Sequence, residues 1–353
     1  MPNQDILIVG GGPAGLEAAR GIADLGYKAI LVEKRSRLGG TPDEAEYAAL
    51  TPDLRDCKEA MGEMVARVNN NPNVELRLGS TVTAAEGSAG NFTVTVKNSK
   101  KSDKLNVGAV ILCTGFQHFD PGRETQKYGY YEFDDVVTLV DMERMFSANR
   151  VVRPSNGKAP ERVCFIQCVG SRDRRLGNEY CSKVCCGIAS KQAIEVRKHV
   201  PNCKVFIFYI DMRMYGYWEN EIYWPAQEKY KVNYVKGIAT EILKKGDKLI
   251  VRGEDTTMRR PFEIPMDIVA LSVGMEPSAG TREMAKIFEI KQNKYNFIET
   301  LGGALDTVTT SVPGVFAAGA CTGPADLEDS VSAAGLAAMR AITIVRQNTA
   351  VPA

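Results

Sequence analysis

The first thirty-odd residues restrict the fold of this chain more tightly than any other stretch. Ile6-Leu7-Ile8-Val9 is a short apolar run suited to a buried parallel strand, and Gly10-Gly11-Gly12-Pro13-Ala14-Gly15 follows at once. Gly10, Gly12 and Gly15 satisfy G-x-G-x-x-G. Leu16 to Leu25 reads as a helix stopped by Gly26, and Ala29-Ile30-Leu31-Val32 as a second buried strand ending at Glu33. Each part has a mechanical reason. The first glycine permits a tight turn, the second lets a pyrophosphate approach the backbone, and the third lets helix and strand touch. Free N–H groups and the dipole at the helix start favour an anion there. Glu33, 18 residues beyond Gly15, is placed to accept hydrogen bonds from an adenosine ribose. A merely flexible glycine turn needs none of this order, so the segment reads as a dinucleotide site.

Three later segments separate flavin from nicotinamide. Leu38-Gly39-Gly40 adds a second glycine turn where backbone can approach a larger cofactor. Ala109-Val110-Ile111-Leu112-Cys113-Thr114-Gly115 is a buried strand ending in Thr-Gly, and Val312-Pro313-Gly314-Val315-Phe316-Ala317-Ala318-Gly319 is another, opened by a Pro-Gly turn. With Gly10 to Glu33, these segments resemble the FAD domain of the two-dinucleotide-binding, thioredoxin-reductase-like flavoproteins. The resemblance implies an α/β architecture whose Rossmann-type FAD domain, residues 1–115 and 291–353, is split by an inserted βαβ domain, residues 116–290. It implies FAD contacts from Gly10, Gly12, Pro13, Ala14, Gly15, Glu33, Lys34, Gly39, Gly40, Thr41, Val82, Cys113, Thr114 and Gly115. From the C-terminal part it implies Gly319, Ala320, Thr322, Gly323, Ser330 and Val331. In that family an aspartate after the late glycine holds the ribityl chain. Here Ala320 stands in its place, and backbone N–H groups with Thr322 are expected to take over. A helix from about Ser330 to Ile344 is expected to aim its positive end at the flavin, which stabilises the reduced, anionic form.

The middle of the chain departs from that pattern. Relatives that use NAD(P)H carry a second G-x-G-x-x-G after the first strand of the insert. The matching strand here, Arg162 to Gln167, runs into Cys168-Val169-Gly170-Ser171-Arg172-Asp173, with no glycine triplet. A loop leads to Tyr180-Cys181-Ser182-Lys183-Val184-Cys185-Cys186, which opens a helix to about Val200, and the next strand is Lys204 to Ile210. The βαβ frame survives, with cysteines where pyrophosphate would lie. Five of the nine cysteines fall between Cys164 and Cys186. Cys168, Cys181, Cys185 and Cys186 offer four soft thiolates, a ligand set that selects an iron–sulfur cluster or zinc. A helix N-terminus would offset the charge of an anionic cluster. Thiol redox chemistry and plain packing remain alternatives, since Cys185, Ala189, Ala193, Val196 and Val200 also form a helical apolar stripe. Cys113, Cys164 and Cys203 read as core residues, while Cys57 and Cys321 lie near presumed flavin loops.

Composition narrows the partners. A net charge of +1, without a basic block interleaved with aromatics, argues against nucleic acid. No apolar run is long enough to cross a bilayer, and Met1-Pro2-Asn3-Gln4-Asp5 lacks the pattern of a signal peptide. The expected setting is cytoplasmic, where cysteines serve as thiols, redox centres or ligands rather than structural disulfides. His118 and His199 are far apart and read as ordinary surface or core residues. The aromatic tract Tyr209 to Trp218 fits either an interface or core packing.

At the cysteines the chain resembles the A-type family of heterodisulfide reductase components. The family's Cys-x-x-Ser/Gly-Arg-Asp and Tyr-Cys-Ser-x-x-Cys-Cys segments stand here as Cys168 to Asp173 and Tyr180 to Cys186. Ala318-Gly319-Ala320-Cys321-Thr322-Gly323-Pro324-Ala325-Asp326 also fits its C-terminal pattern, which accounts for the missing aspartate. The resemblance implies FAD, a [4Fe–4S] cluster on Cys168, Cys181, Cys185 and Cys186, and work with B and C subunits. The family's long forms add ferredoxin modules that this chain lacks. The chain resembles instead the short A-like subunits of sulfur-oxidising bacteria, or a related component of quinone-interacting complexes. A homodimer is expected for the isolated chain. No substrate acid or base is evident, which suits an electron relay. The competing expectations are a stand-alone flavin thiol/disulfide oxidoreductase using Cys181 with Cys185, or Cys185 with Cys186, and a zinc-bearing scaffold.

Overall fold

The computed structural model describes residues 3–349, which form two compact units: residues 3–44, 59–117 and 276–349, and residues 45–58 and 118–275. In the first unit a five-stranded parallel sheet runs Val315–Ala317, Ala109–Leu112, Ile6–Val9, Ala29–Glu33, Val74–Leu78 across its width. Ile6–Val9 lies between its two neighbours, Ile6 facing Ala29 on one side and Ala109 on the other. Its four residues are buried, as a strand covered on both faces requires. Leu7 and Val9 point to a core shared with Val94 and Phe92 of a three-stranded antiparallel sheet, Thr81–Ser88, Asn91–Lys97 and Ser102–Val107. The helices Pro13–Asp24 and Leu327–Thr349 pack on each other through small residues. Gly21 and Ala338 meet there, and Ala334, Ala337 and Ala341 are buried.

The second unit has a seven-stranded sheet whose five-strand parallel section is Val136–Thr138, Ile268–Val273, Arg162–Val169, Lys204–Tyr209 and Asn233–Lys245. Lys248–Asp255 and Arg260–Met266 continue it antiparallel. The period-two alternation of Arg162–Val169 divides two cores. Val163 and Phe165 pack with Ala189 and Ala193 of the Cys185–His199 helix, whereas Cys164 and Ile166 pack with Phe119, Phe208 and Val251 on the other face.

The units are cut at different points from the 1–115, 116–290 and 291–353 division expected from sequence. The Ala279–Ile287 helix sits with the first unit because Ser278, its N-cap, donates to Thr114 O at 2.9 Å and Thr281 donates to Gly115 O at 3.1 Å. Residues 45–58 sit with the second. Glu143 accepts from Ala48 N–H at 2.9 Å, and Lys191 donates to Ala49 O at 2.8 Å. Lys191 and Glu143 are both buried and pair at 2.5 Å.

Candidate functional site

The glycine turn of the first unit is built by backbone contact. Gly10 has φ +111°, and a Cβ there would lie 2.3 Å from Cys113 O. A Cβ on Gly15 would lie 1.8 Å from Gly10 O, so helix and strand touch with no room for a side chain. Gly12, the helix N-cap, meets only the Gly40 Cα at an ordinary 3.5 Å, and no side chain caps that helix. The second glycine turn has a nearer role than cofactor approach: Gly39 N–H donates to Gly11 O at 2.9 Å, and a Cβ on Gly40 would lie 2.5 Å from Gly12 Cα. Glu33 is buried beneath both, accepting from Gly11 N–H at 2.6 Å and Arg35 N–H at 2.8 Å. It braces the loop, and a carboxylate has lone pairs left for further donors.

The remaining expected flavin contacts are distributed unevenly. Lys34 is exposed and Thr41 half-buried, but the Val82 side chain belongs to the core, which leaves only its backbone for a ligand. Cys113 and Cys321 are buried neighbours. Burial lifts the Cys113 thiol well above its usual range and Cys321 to about 11, so neither is poised as a nucleophile. Thr114 bonds Thr281 at 2.8 Å. Gly319 has φ +78° and fits between Ala14 and Ser330, which joins the Pro13–Asp24 helix, Ala320 and the C-terminal helix at one place. Thr322, expected to replace the missing aspartate, donates its hydroxyl to Gly319 O at 3.0 Å, so only its oxygen lone pairs remain for a ligand. Gly323 follows in the same turn, with φ +158°. The C-terminal helix begins at Leu327, not Ser330. Asp329 N–H donates to the Asp326 carboxylate at 2.7 Å and Asp326 N–H to that of Asp329 at 3.2 Å. That reciprocal cap sets two carboxylates at the helix start and offsets the positive end expected to face a flavin. Ser330 donates to Asp326 O at 2.7 Å, and Val331 is half-buried beside it.

In the second unit a β-bulge does what glycines do in the first. Ile166 pairs with Leu271 and Val169 with Val273, so Gln167 and Cys168 together oppose Ser272. Simple alternation would send Cys168 to the face of Cys164 and Ile166. The bulge, with Cys168 at φ +61°, brings its sulfur instead to the helix side, where it meets Cys185. The Cys185 thiol lies between Cys168 and Cys186. As a shared donor it draws Cys168 down to about 7, with help from the Arg172 guanidinium 4.0 Å away, and lowers Cys186 as well. Its own thiol is pushed well above the usual range by those two sulfurs and by burial. Backbone N–H groups supply further donors, Arg213 to Cys186 at 3.5 Å and Lys183 to Cys181 at 3.3 Å. Arg172 is held in place by Asp211 on the following strand's loop. Trp218 closes over the helix start, where a Cβ on Gly187 would lie 2.2 Å from its ring. Tyr217 of the same tract is largely exposed.

Soft thiolates with N–H···S donors and a helix start beneath them form a donor set that fits an iron–sulfur cluster. Cys185 is in contact with both Cys168 and Cys186, while Cys181 is held by an N–H donor from Lys183. Among the described residues no group of three or more His, Cys, Asp or Glu side chains is placed to hold a single metal ion. All nine cysteines stand outside disulfides. Sequence reasoning singled out four cysteines, of which the structure sets Cys185 beside Cys168 and Cys186, but missed the bulge, the Arg172–Asp211 brace and the Lys191–Glu143 pair. His118, read as ordinary, is driven down to about 4 by burial, with Tyr47 Oη 3.4 Å from its Nε2.

The profile of the family described as pyridine nucleotide-disulphide oxidoreductase matches residues 4–341. The chain is 30% identical to the second of the iron-sulfur A-type subunits of CoB-CoM heterodisulfide reductase in Methanopyrus kandleri, over 96% of this chain and 64% of that protein. It is 31% identical to the corresponding iron-sulfur A-type subunit of Methanocaldococcus jannaschii, over 94% and 63%. The chain thus spans a little under two thirds of the length of these relatives. Among solved structures, thioredoxin reductase of T. acidophilum superposes with a TM-score of 0.66 at 20% identity, covering 98% of this chain and 99% of that one. The Lactococcus lactis thioredoxin reductase gives 0.65 at 19%, covering 98% and 100%. The expected fold class therefore holds, as does the resemblance to A-type heterodisulfide reductase components. No helix among the described residues is long and apolar enough to cross a membrane.

Proposed function

Because the chain belongs to the pyridine nucleotide-disulphide oxidoreductase family and is an oxidoreductase, we propose that it is an electron-transfer subunit holding FAD in its first unit and a [4Fe–4S] cluster on Cys168, Cys181, Cys185 and Cys186. It would serve a heterodisulfide-reductase-like complex with B- and C-type partners, in sulfur metabolism, and form a homodimer when isolated. Bound there, FAD exchanges electrons in pairs and the cluster one at a time, and that chemistry belongs to the cofactors. The protein supplies the rest. The uncapped start of the Pro13–Asp24 helix presents N–H groups to a pyrophosphate, and Glu33 fixes the loop that carries them. Around Cys168 and Cys186, Arg172 and the N–H group of Arg213 favour thiolate over thiol, while Trp218 and the buried helix start exclude water.

The observation that carries this reading is the bulge that turns Cys168 toward Cys185 and Cys186 at the point of the βαβ frame where relatives place a glycine turn. Anaerobically purified protein should show flavin absorbance together with an EPR signal on reduction. Cys185→Ser should abolish the EPR signal and leave the flavin in place. Wild-type protein with flavin and no such signal at any potential would refute the cluster.

One observation favours a second reading, a stand-alone thiol/disulfide oxidoreductase. A sulfur drawn down to about 7 beside a thiol is a reactive pair, which adds Cys168 with Cys185 to the Cys185–Cys186 pair expected from sequence, since Cys185 touches both partners. Rapid bleaching of flavin by NADPH in iron-free protein would favour it.

A further inference from the structure

The thiolates are not the only groups at the bulge without an ordinary role. Gln167 is 6% exposed, Ser171 2% and Ser272 1%, and among the described residues neither end of the Gln167 amide nor either hydroxyl has a hydrogen-bond partner. Native proteins leave few buried polar groups unpaired, and each such group calls for a missing partner. Gln192 in the same core is half satisfied: its Nε2 donates to Leu139 O at 2.9 Å and to Glu143 at 2.7 Å, while its Oε1 is unpartnered among the described residues.

The three residues share one location. Phe165 opposes Ala270, and both pack on the side of the Cys185–His199 helix. Two residues further along each strand, Gln167 and Ser272 continue that face, toward the end where Cys185 and Cys186 open the helix. Ser171 follows in the same turn, its N–H donating to Cys168 O at 3.3 Å, and it packs against Gly274, the residue after Ser272's strand. The unpartnered groups therefore belong to residues that flank Cys168, the residue the bulge re-aims.

We propose that Gln167, Ser171 and Ser272 are positioning residues that donate hydrogen bonds to the sulfurs of the group held by the four cysteines and raise its reduction potential. This rests on the cluster reading above. Reduction adds negative charge to an already anionic cluster, so N–H and O–H donors stabilise the reduced form more than the oxidised one, and removing them lowers the potential.

The test is an EPR-monitored redox titration of the anaerobically purified protein and of Gln167→Met, Ser171→Ala and Ser272→Ala. The expected result is full iron content, unchanged flavin potential and a downward shift of the cluster potential in each variant, with the Gln167→Met/Ser272→Ala double variant shifted further than either. Resonance Raman iron–sulfur bands should shift in D2O for the wild type and shift less in the variants. If Gln167→Met fails to fold, Ser272→Ala, which removes a single oxygen, decides. Unchanged cluster potentials and unchanged D2O shifts at full iron content would mean that these groups merely enclose a buried water, and would overturn the inference while leaving the cluster intact. Protein that contains no iron would instead overturn the cluster reading, and this inference with it.

Discussion

Two strand-to-helix turns of this chain occupy the same place in similar parallel frames. In the first unit three residues separate Val9 from Pro13, and in the second fifteen separate Val169 from Cys185. The short turn works mainly through backbone, braced by the Glu33 carboxylate, and Gly10 and Gly15 are fixed by contacts that leave no space for a Cβ. The long turn works through side chains, so it needs a bulge, a loop and charged braces such as Arg172–Asp211 to bring them together. The same frame is thus suited to an oxygen-rich anion in one unit and to soft thiolates in the other.

That contrast can be broken from either side. The largest effect is expected from Gly15→Ala, whose Cβ would fall 1.8 Å from Gly10 O. Backbone must move apart, and the variant should lose flavin absorbance and unfold its first unit. Flavin retention at wild-type thermal stability would show that the turn is not backbone-limited. Next comes Cys168→Ser in the second turn, which should remove iron while flavin stays bound. Simultaneous loss of both cofactors would deny that the turns act separately. Lys191→Met strands the buried Glu143 carboxylate and should cost about 3–5 kcal/mol by denaturant unfolding. An effect below about 1 kcal/mol, the size expected of an exposed pair, would contradict its anchoring role.

The smallest effect is expected from His118. Its native pKa, about 4, is depressed from 6.5, so the unfolded chain takes up the proton first as pH falls. Its contribution to stability is present above pH 6.5 and is lost as pH drops toward 4. A His118→Gln variant should show a flatter stability profile across that window. A profile identical to wild type would remove this histidine from the account.

The same contrast explains what the sequence discloses. Gly10 to Glu33 is legible because each residue type answers to a local steric demand, and strand, turn, helix and acid fall in one short stretch. The split sheet could be read from Thr114-Gly115 and from the Pro313–Gly319 strand for the same reason. Cys168 was visible as a ligand type, but its direction was not, since a one-residue register shift against Ser272 decides which face it joins. The assignment of residues 45–58 to the second unit depends on Lys191 and Glu143, roughly a hundred residues away, and no periodicity encodes it. The early start of the C-terminal helix was readable in principle from Asp326 and Asp329, a spacing that suits a reciprocal cap.

The central claim is that four thiolates and a metal–sulfur group stand where the sister frame has a glycine turn. Iron and acid-labile sulfide, measured against flavin in protein purified without exposure to air, test it most directly. The account predicts about four iron and about four sulfide for each FAD. Flavin-loaded protein with well under one iron per chain, or with zinc in its place, would contradict it.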